Sequence, residues 1–356
     1  IFIFIYDINI LYIYLYKLMQ GLENIGSTCA INSLIQIICR NTYLRDTILS
    51  YELSDDTFTN NLKEILVLMH NKGKSLIPRK FVKKVFNTFN GTFRYGEQLD
   101  IYELWLYLSE AVINEINQNP SYYKVINEYS INDKIKDGIV IDNDRDFNNV
   151  LLNSNKLKNK FEYYNIKHNN NKISQWQSLI QGFYLNITRC TKCNNTLYNF
   201  EPFVTLNLNI TNKNLSIVDM IIQLYKEENN CDDWECEKCK LKTQYIKQTK
   251  LWSLPKVLFI VVTRFADIFR KNTEYININD QLHFNEGTEL GNPNVKKRYK
   301  LSSMALHVGN LHGGHYMAIC NNDTENYLLY NDMDIKEINN FKNKNNSAYM
   351  IIYNQV

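Results

Sequence analysis

The sequence predicts an α+β protein with a helical first third and a β-rich remainder. Between residue 21 and about residue 129, apolar residues recur at the three- and four-residue spacing of a helix face. From about residue 183 onward, short alternating or continuous apolar runs indicate strands. With 356 residues, the chain is long enough to bury a large core as one big domain or two.

Composition and charge indicate an ordinary globular protein. Hydrophobic residues make up 45% of the chain, charged residues 22%, and the formal net charge is only +3. No block of like charges stands out, so we expect neither nucleic acid nor a membrane as a partner. Eight cysteines are too few for a disulfide-stapled scaffold. They suit a reducing compartment, so we expect an intracellular protein of the cytoplasm, the nucleus or both.

Residues 1–20 are strongly apolar, and the sequence begins with Ile rather than Met. A membrane-spanning helix needs about 20 apolar residues, whereas Asp7, Asn9 and Lys17 divide this segment into shorter pieces. A secretory signal would need a basic start and a small-residue cleavage site, which this segment lacks. We therefore expect a strand, a packing arm or an artefact of gene prediction rather than a membrane anchor.

The stretch from Gly21 to Gln36 places a cysteine at a predicted helix start. It reads GLENIGSTCAINSLIQ, in which turn-forming residues precede Cys29 and apolar residues follow it at helical spacing. At such a position the free N–H groups and the helix dipole lower the pKa of a thiol toward the reactive thiolate. A buried, unreactive cysteine would give the same local pattern, so this stretch alone does not identify a nucleophile.

Three amphipathic helices are predicted after this stretch, over residues 60–70, 81–89 and 95–113. Residues 130–172 then change character, because Asn, Asp and Lys dominate. We expect a polar insertion or a long, partly disordered loop there, without a functional site.

Strands are predicted in the second half of the chain. Residues 203–210 alternate between apolar and polar side chains, which is typical of a half-buried strand. Pro255 precedes the run VLFIVV, whose continuous apolar character predicts a fully buried central strand. Further strands are predicted over residues 275–284 and 299–308.

Two Cys-x-x-Cys knuckles predict a zinc site. They comprise Cys190 and Cys193 in the first and Cys236 and Cys239 in the second. Four thiolates suit a tetrahedral structural Zn²⁺ ion, and each knuckle supplies two ligands from one turn. Four cysteines leave no open coordination position, so we expect no catalytic cofactor. The alternatives are four free cysteines, or a set in which the nearby Cys231 replaces one ligand.

A second stretch, near the end of the sequence, contains candidate catalytic partners for Cys29. The run HVGNLHGGHY contains the glycine-flanked His315, and YLLYND follows shortly afterwards with Asn331. A cysteine, a histidine and an asparagine are the nucleophile, base and orienting group of a class of cysteine proteases. His307 and His312 lie in the same run, and we favour His315 as the base.

These stretches together resemble the ubiquitin-specific proteases, a papain-like family of deubiquitinating enzymes. The cysteine box of that family has the form GLxNxGxTCxxNSxxQ and its histidine box the form HxGxxxxGHY, and both occur here in order. An aromatic-x-x-aromatic-[DN]-D stretch follows, as in the family. The resemblance extends from about Gly21 to Tyr353. It implies a papain-like cysteine protease fold with a helical thumb, a β-sheet palm and zinc-tipped β fingers.

The resemblance implies a thiol-dependent deubiquitinase that hydrolyses the peptide or isopeptide bond after the C-terminal glycine of ubiquitin. Cys29 would attack the carbonyl and form a thioester, His315 would act as base and then acid, and Asn331 would orient the imidazole. Asn24 matches the side chain of the oxyanion hole, which the Cys29 N–H would complete. Asp332 is the alternative orienting residue or a helper to the oxyanion.

The same resemblance implies a channel for the ubiquitin tail. Gln98, Asp100 and Glu103 match the QxDxxEF box of the family, whose carboxylates would pair with the arginines of the tail. Without that match, both carboxylates would be interpreted as solvent-facing residues of an amphipathic helix. Gly314 and Tyr316 flank His315 and are expected to contact the Gly-Gly end of the tail.

Two residues depart from the family pattern. Ala30 follows the nucleophile where an aromatic residue is usual, and Tyr327 stands where Trp is usual. We interpret both as packing changes that affect the rate more than the type of reaction. Two other functions also fit the sequence, namely a protease for a ubiquitin-like modifier and a catalytically weak ubiquitin-binding scaffold.

The predicted organisation is a single catalytic domain that follows the apolar segment. The thumb comprises about 21–130, the insertion about 131–172 and the fingers about 183–250. The palm comprises about 251–356 together with parts of 173–210. All these parts belong to the one domain, 21–356. The expected partners are ubiquitin and ubiquitinated proteins, and we expect a monomer.

Overall fold

The computed structural model describes most of the chain beyond the first nineteen residues. The described ranges are 20–70, 75–125, 155–170, 172–265, 270–285, 296–310, 313–321, 326–342 and 345–356. The apolar segment 1–20 therefore lies, apart from its last residue, outside the described part, as does most of the predicted insertion. Within these ranges, no helix is both long enough and apolar enough to cross a membrane.

Most of the helices lie in the first third of the chain, as predicted. Those in the described ranges are α1 (Cys29–Arg40), α2 (Thr42–Ser50), α3 (Phe58–Leu68), α4 (Arg79–Thr88), α5 (Ile101–Ile116), α6 (Asn155–His168), α7 (Gln175–Ile180) and α8 (Ile217–Leu224). The start of α5 is later than the predicted residue 95 because Asp100 caps it. Its carboxylate accepts hydrogen bonds from the backbone N–H groups of Tyr102 at 2.7 Å and Glu103 at 3.1 Å.

The prediction of a loop up to residue 172 is wrong for its last part. Residues 155–168 form α6, although this segment is rich in Asn and Lys. The helix packs through a few apolar side chains, among which Leu157 is fully buried and Phe161 contacts Phe183 and Trp252. Tertiary packing rather than amphipathic periodicity holds this helix in place.

The strands form one large and one smaller sheet, with two short pairs. They are β1 (Gly21–Leu22), β2 (Ser75–Leu76), β3 (Tyr123–Val125), β4 (Lys172–Ser174), β5 (Gly182–Cys190), β6 (Thr196–Phe203), β7 (Leu206–Asn209), β8 (Glu228–Glu235), β9 (Lys242–Ser253), β10 (Val257–Thr263), β11 (Gln281–Phe284), β12 (Lys297–Gly309), β13 (Gly314–Asn321), β14 (Tyr327–Asn331), β15 (Asp334–Ile338) and β16 (Ala348–Gln355). The large sheet has the order β15-β14-β13-β12-β16-β10-β7, and β11 pairs with β12. The smaller sheet has the order β6-β5-β9-β8, while β1 pairs with β2 and β3 with β4.

Strand β10 is the buried central strand that the sequence predicts. It lies between β16, to which it is antiparallel, and β7, to which it is parallel. Successive side chains enter two different cores: Phe259 faces the helices, whereas Leu258 and Ile260 face the opposite core. Phe259 stacks on Trp105 of α5 with ring centroids 3.9 Å apart, which joins the helical part to the sheet.

The predicted strand over residues 203–210 is interrupted. Phe203 ends β6 and pairs with Gly182 in the smaller sheet. Three residues later, Leu206 begins β7 and pairs with Ile260 in the large sheet. The chain therefore passes from one sheet to the other at this point, and the fold is α+β as predicted.

Candidate active site

Cys29 is the first residue of α1, which confirms the predicted helix start. Thr28 precedes the helix without capping it through its side chain. The thiol is buried, with 4% of the residue exposed, because α1 packs against β13 with one face in the core. Ala30 is fully buried in the same core. Its small side chain thus occupies a packing position next to the nucleophile.

The expected low pKa of Cys29 is not found in this structure. Burial is the largest influence and raises the pKa of the thiol above its ordinary value, and the negative charge of Asp332 acts in the same direction. Backbone N–H groups, above all that of Tyr316, act in the opposite direction but do not compensate. The helix start therefore does not by itself make Cys29 a thiolate.

His315 and Asn331, which the sequence predicts to be the base and the orienting group, are in contact. His315 Nε2 lies 2.6 Å from Asn331 Oδ1. This contact assigns the proton to Nε2, so Nδ1 is left as the basic nitrogen. The two residues lie at the near ends of neighbouring strands, because β13 begins at Gly314 and β14 ends at Asn331.

Asp332 links the histidine side of the site to the cysteine side. Its Oδ2 accepts a hydrogen bond from Asn24 Nδ2 at 3.0 Å, and its Oδ1 accepts one from Asn32 Nδ2 at 2.8 Å. Its backbone carbonyl accepts a hydrogen bond from the N–H of Leu22 at 2.9 Å. His315 Nε2 is 3.8 Å from Asp332 Oδ2, farther than from Asn331. Geometry thus favours Asn331 as the orienting residue and Asp332 as the helper.

Asn24 has a fixed side-chain orientation. Its Oδ1 accepts hydrogen bonds from the backbone N–H of Thr28 at 3.1 Å and of Gly26 at 3.3 Å. The Nδ2 group therefore points toward Asp332 and the catalytic cleft. Asn32, which sequence reasoning did not single out, belongs to the same network, and its place in the NS pair of the cysteine box was the available signal.

The two halves of the site lie close together without being fully aligned. Cys29 is near enough to Tyr316 and Asp332 for both to affect its pKa, and these residues directly follow His315 and Asn331. Among the described residues, however, no hydrogen bond joins Cys29 Sγ to the imidazole of His315. The two side chains must therefore come closer before the histidine takes the thiol proton.

The residues predicted to bind the substrate tail bridge the helical and β parts. The side-chain amide of Gln98 donates a hydrogen bond to the carbonyl of Gly314 and accepts one from its N–H at 2.7 Å. Asp100 accepts hydrogen bonds from the hydroxyl groups of Tyr349 at 2.7 Å and Tyr316 at 3.3 Å. Tyr349, on β16, was not predicted as a site residue, since no motif marks it.

The two predicted acidic residues are not equivalent. Asp100 accepts four hydrogen bonds within the protein, two at the start of α5 and two from tyrosines. Glu103 is exposed, and partial burial together with the neighbouring Asp100 raises its pKa. Glu103 is thus the more accessible carboxylate for a basic ligand, whereas Asp100 has a structural partner at each oxygen.

His307 has the environment of a structural rather than a catalytic histidine. It is buried, its ring contacts those of Phe265, Tyr316 and Tyr349, and its Nδ1 has no hydrogen-bond partner. Burial and the neighbouring Lys271 lower the pKa of its imidazole to about 4. His312, the other alternative to His315, lies outside the described residues.

The four predicted zinc ligands form a cluster at one end of the smaller sheet. The sulfur atoms of Cys190, Cys193, Cys236 and Cys239 all lie within 4.8 Å of one another. Two sulfur pairs are separated by 3.6 and 4.0 Å, close to the roughly 3.8 Å expected for a tetrahedral site with zinc–sulfur bonds of about 2.3 Å. The donor set and its spacing therefore fit a structural zinc ion.

The two knuckles have the same backbone conformation. In the first, the N–H of Asn194 donates to the carbonyl of Cys190, and in the second the N–H of Lys240 donates to that of Cys236. Asn194 and Lys240 both adopt a φ of 55°. This repeated turn brings both cysteines of each pair to one side. The side chain of Cys231, the alternative ligand, is not among those described.

Comparison with known proteins identifies the family. The model of the ubiquitin carboxyl-terminal hydrolase family matches residues 20–353. The chain belongs to this family. The resemblance stated from the cysteine and histidine boxes is thereby confirmed.

Curated relatives and solved structures agree with this assignment. Ubiquitin carboxyl-terminal hydrolase 4 of Saccharomyces cerevisiae strain YJM789 is 24% identical over 94% of this chain. Ubiquitin carboxyl-terminal hydrolase Usp2 of Drosophila melanogaster is 22% identical over 94% of this chain. The match covers 39% and 34% of those relatives, so the chain spans little more than a third of their length.

A chain of the SAGA Ubp8/Sgf11/Sus1/Sgf73 DUB module bound to ubiquitin aldehyde has a TM-score of 0.66 at 20% identity. The alignment covers 95% of this chain and 70% of that one. The α+β, papain-like fold of this family is thus the fold of this chain.

Proposed function

We propose that this protein is a cysteine-type deubiquitinase, which hydrolyses the peptide or isopeptide bond after the C-terminal glycine of ubiquitin. The observation that carries this proposal is the contact between His315 and Asn331, next to Cys29 at the start of α1. Relatives of the same family are named ubiquitin carboxyl-terminal hydrolases, and one solved relative is bound to ubiquitin aldehyde.

In the proposed reaction, His315 Nδ1 removes the proton of Cys29, and the thiolate attacks the carbonyl of the terminal glycine. Asn24 Nδ2 and the Cys29 N–H hold the oxyanion while the tetrahedral intermediate forms. The imidazolium then gives its proton to the departing amine, which leaves a thioester on Cys29. Water, deprotonated by His315, hydrolyses the thioester and restores the thiol.

In the free protein, the proposed nucleophile and base are not joined by a hydrogen bond, which supports a role for the substrate in bringing them together. Burial keeps the Cys29 thiol neutral, and no hydrogen bond yet joins it to His315. We propose that binding of the ubiquitin tail brings the imidazole within reach of the thiol. We propose that Glu103, Gly314 and Tyr316 contact this tail, which the exposure of Glu103 supports.

We further propose that Cys190, Cys193, Cys236 and Cys239 hold a structural zinc ion, which joins two hairpins of the smaller sheet. We propose ubiquitin and ubiquitinated proteins as partners, a monomeric state, and a location in the cytoplasm or nucleus. The seven cysteines whose side chains are described are all free, which fits a reducing compartment.

The proposal is tested by reaction with ubiquitin that carries a C-terminal propargyl amide, followed by mass spectrometry of the adduct. We expect a single adduct on Cys29 with ubiquitin, and none with the Cys29→Ala variant. The same electrophile on a ubiquitin-like modifier provides the comparison. An adduct with that modifier alone would indicate a modifier-specific protease. A folded protein that binds ubiquitin without forming an adduct would indicate a scaffold.

A further inference from the structure

Gly314, the residue before the proposed base, is held by a side chain from the other half of the molecule. Gln98 precedes α5, whereas Gly314 begins β13. The two ends of one amide group bind both backbone groups of one glycine, since Nε2 donates to the Gly314 carbonyl and Oε1 accepts from its N–H.

The contact between Gln98 and Gly314 lies at the edge of β13, at a point that β14 does not reach. Pairing between β13 and β14 begins at Ala318 with Tyr330, and β14 ends one residue later at Asn331. Alternate residues of a strand direct their backbone groups to the same edge. The groups of Gly314 and Tyr316 therefore face the same side as those of Ala318, but in the described part of the chain no strand pairs with them on that side.

The open edge is filled by two residues from the helical half. The N–H of Tyr316 is near enough to Cys29 to lower the pKa of its thiol. The N–H and carbonyl of Gly314 bind the side-chain amide of Gln98. His315 lies between these two contacts. The position of its imidazole therefore depends on a backbone that the Gln98 amide holds at Gly314.

The neighbouring residues His307 and Val308 also leave little space beside Gly314. A Cβ atom at this position would lie 2.1 Å from Nε2 of the buried His307 and 2.8 Å from the carbonyl oxygen of Val308. The glycine thus lies against the buried His307 ring. Because Gln98 binds both the N–H and the carbonyl of Gly314, it restrains the two peptide groups that flank this residue more than a single contact would.

We propose that Gln98 is a positioning residue, which acts through Gly314 to set the orientation of His315, rather than a residue that binds the ubiquitin tail. This inference rests on the proposed function of His315 as the base. It predicts that loss of the Gln98 amide impairs the chemical step and leaves substrate binding largely intact.

The kinetic test compares Gln98→Met, which keeps the size of the side chain without its hydrogen bonds, with the wild type on a fluorogenic ubiquitin substrate. We expect kcat to fall about tenfold or more, with KM changed less than about twofold. Glu97→Gln is the matched control on the same exposed loop and should behave as the wild type. A rise in KM with unchanged kcat would overturn the proposal, because it would show a substrate-binding role.

Gln98→Glu provides a signature that a merely structural role would not give. The carboxylate accepts from the Gly314 N–H but cannot donate to its carbonyl, whereas the protonated acid does both. We expect the ratio of kcat for this variant to kcat for the wild type to rise as the pH falls from about 8 to about 4.5, because the protonated fraction becomes large only near the ordinary glutamate pKa of about 4.3. A pH-independent ratio equal to that of Gln98→Met would contradict the two-point contact.

Hydrogen exchange in the free protein separates this inference from the proposed function. We expect the Gly314 amide to exchange faster in Gln98→Met than in the wild type or in Glu97→Gln, at unchanged melting temperature. Unchanged exchange would overturn the contact even if the enzyme is active. Conversely, a wild type that fails to react with the ubiquitin probe would refute the proposed function, while the exchange result would still decide whether Gln98 holds Gly314.

Discussion

The side chains of Asn24 and Asp332, which are 308 positions apart in the sequence, meet at 3.0 Å. One hydrogen bond thus connects the loop before the nucleophile with the turn after the orienting asparagine. The same carboxylate also binds Asn32 on α1. The proposed oxyanion donor, the first turn of α1 and the histidine side of the site are therefore coupled through a single aspartate.

We expect Asn24→Ala to lower kcat about 10²- to 10³-fold with little change in KM, because the oxyanion loses a donor that acts mainly in the transition state. Steady-state kinetics on a ubiquitin substrate provides the measurement. Asp332→Asn is the companion variant, since it keeps the shape of the side chain but removes the carboxylate that holds Nδ2. It should show a smaller loss of kcat. Unchanged turnover in Asn24→Ala would exclude the oxyanion role.

The hydrogen bond between His315 and Asn331 predicts a difference between two substitutions. Asn331→Ala removes the acceptor for Nε2 and should lower kcat about 10²-fold or more. Asn331→Asp keeps an oxygen in the same place and should retain most of the activity. Equal losses in both variants would contradict an orienting role based on this acceptor.

The buried thiol predicts a particular pH dependence of Cys29 reactivity. Because burial raises the pKa of Cys29, the thiolate fraction in the free enzyme is small at neutral pH and grows as the pH rises. Alkylation of Cys29 by iodoacetamide, followed by peptide mass spectrometry, should therefore accelerate with pH up to at least about 9. A rate that is already at its plateau below neutral pH would show that the thiolate is preformed.

The cysteine cluster predicts one bound zinc ion per chain that contributes to stability. Cys190→Ser and Cys236→Ser should each lose the metal and lower the melting temperature, because these two ligands are fully buried. Metal analysis and thermal unfolding provide the measurements. Cys231→Ser is the matched control and should keep the metal. Loss of zinc in that variant instead would indicate that Cys231 is a ligand.

Two adjacent glycines should respond differently to the same substitution. In Gly314→Ala the added Cβ meets the buried His307, so we expect a loss of about 1–3 kcal/mol in the free energy of unfolding. In Gly313→Ala the Cβ meets nothing within 4 Å, and stability should be nearly unchanged. Denaturant unfolding compares the two. Equal stability would show that His307 moves aside easily.

The sequence was most informative where a residue type is tied to chemistry. Cys29, His315 and Asn331 lie in motifs whose residue types and spacing predict a nucleophile, a base and an orienting group. The structure brings His315 and Asn331 into contact. Two four-residue knuckles were sufficient to predict the cysteine cluster, since the thiols have few other reasons for that spacing. The continuous apolar run after Pro255 likewise predicted a central strand.

Properties that depend on tertiary neighbours were not predictable. The pKa of Cys29 is decided by burial against β13, which local helix geometry does not reveal. Asp100 has the pattern of a helix-surface carboxylate, yet two tyrosines from distant strands bind it. The break after Phe203 arises because the chain changes sheets there, while the side-chain alternation continues. Helix α6 escaped detection since it is anchored by only a few apolar residues.

The position of β16 between β12 and β10 has a consequence for synthesis of the protein. Residues 257–263 and 297–309 leave the ribosome first, but they cannot join into one sheet until residues 348–355 have been made. Strand pairings between segments so far apart in sequence form late. The complete large sheet, against which α1 and Cys29 pack, therefore forms only after almost the whole chain has been synthesised.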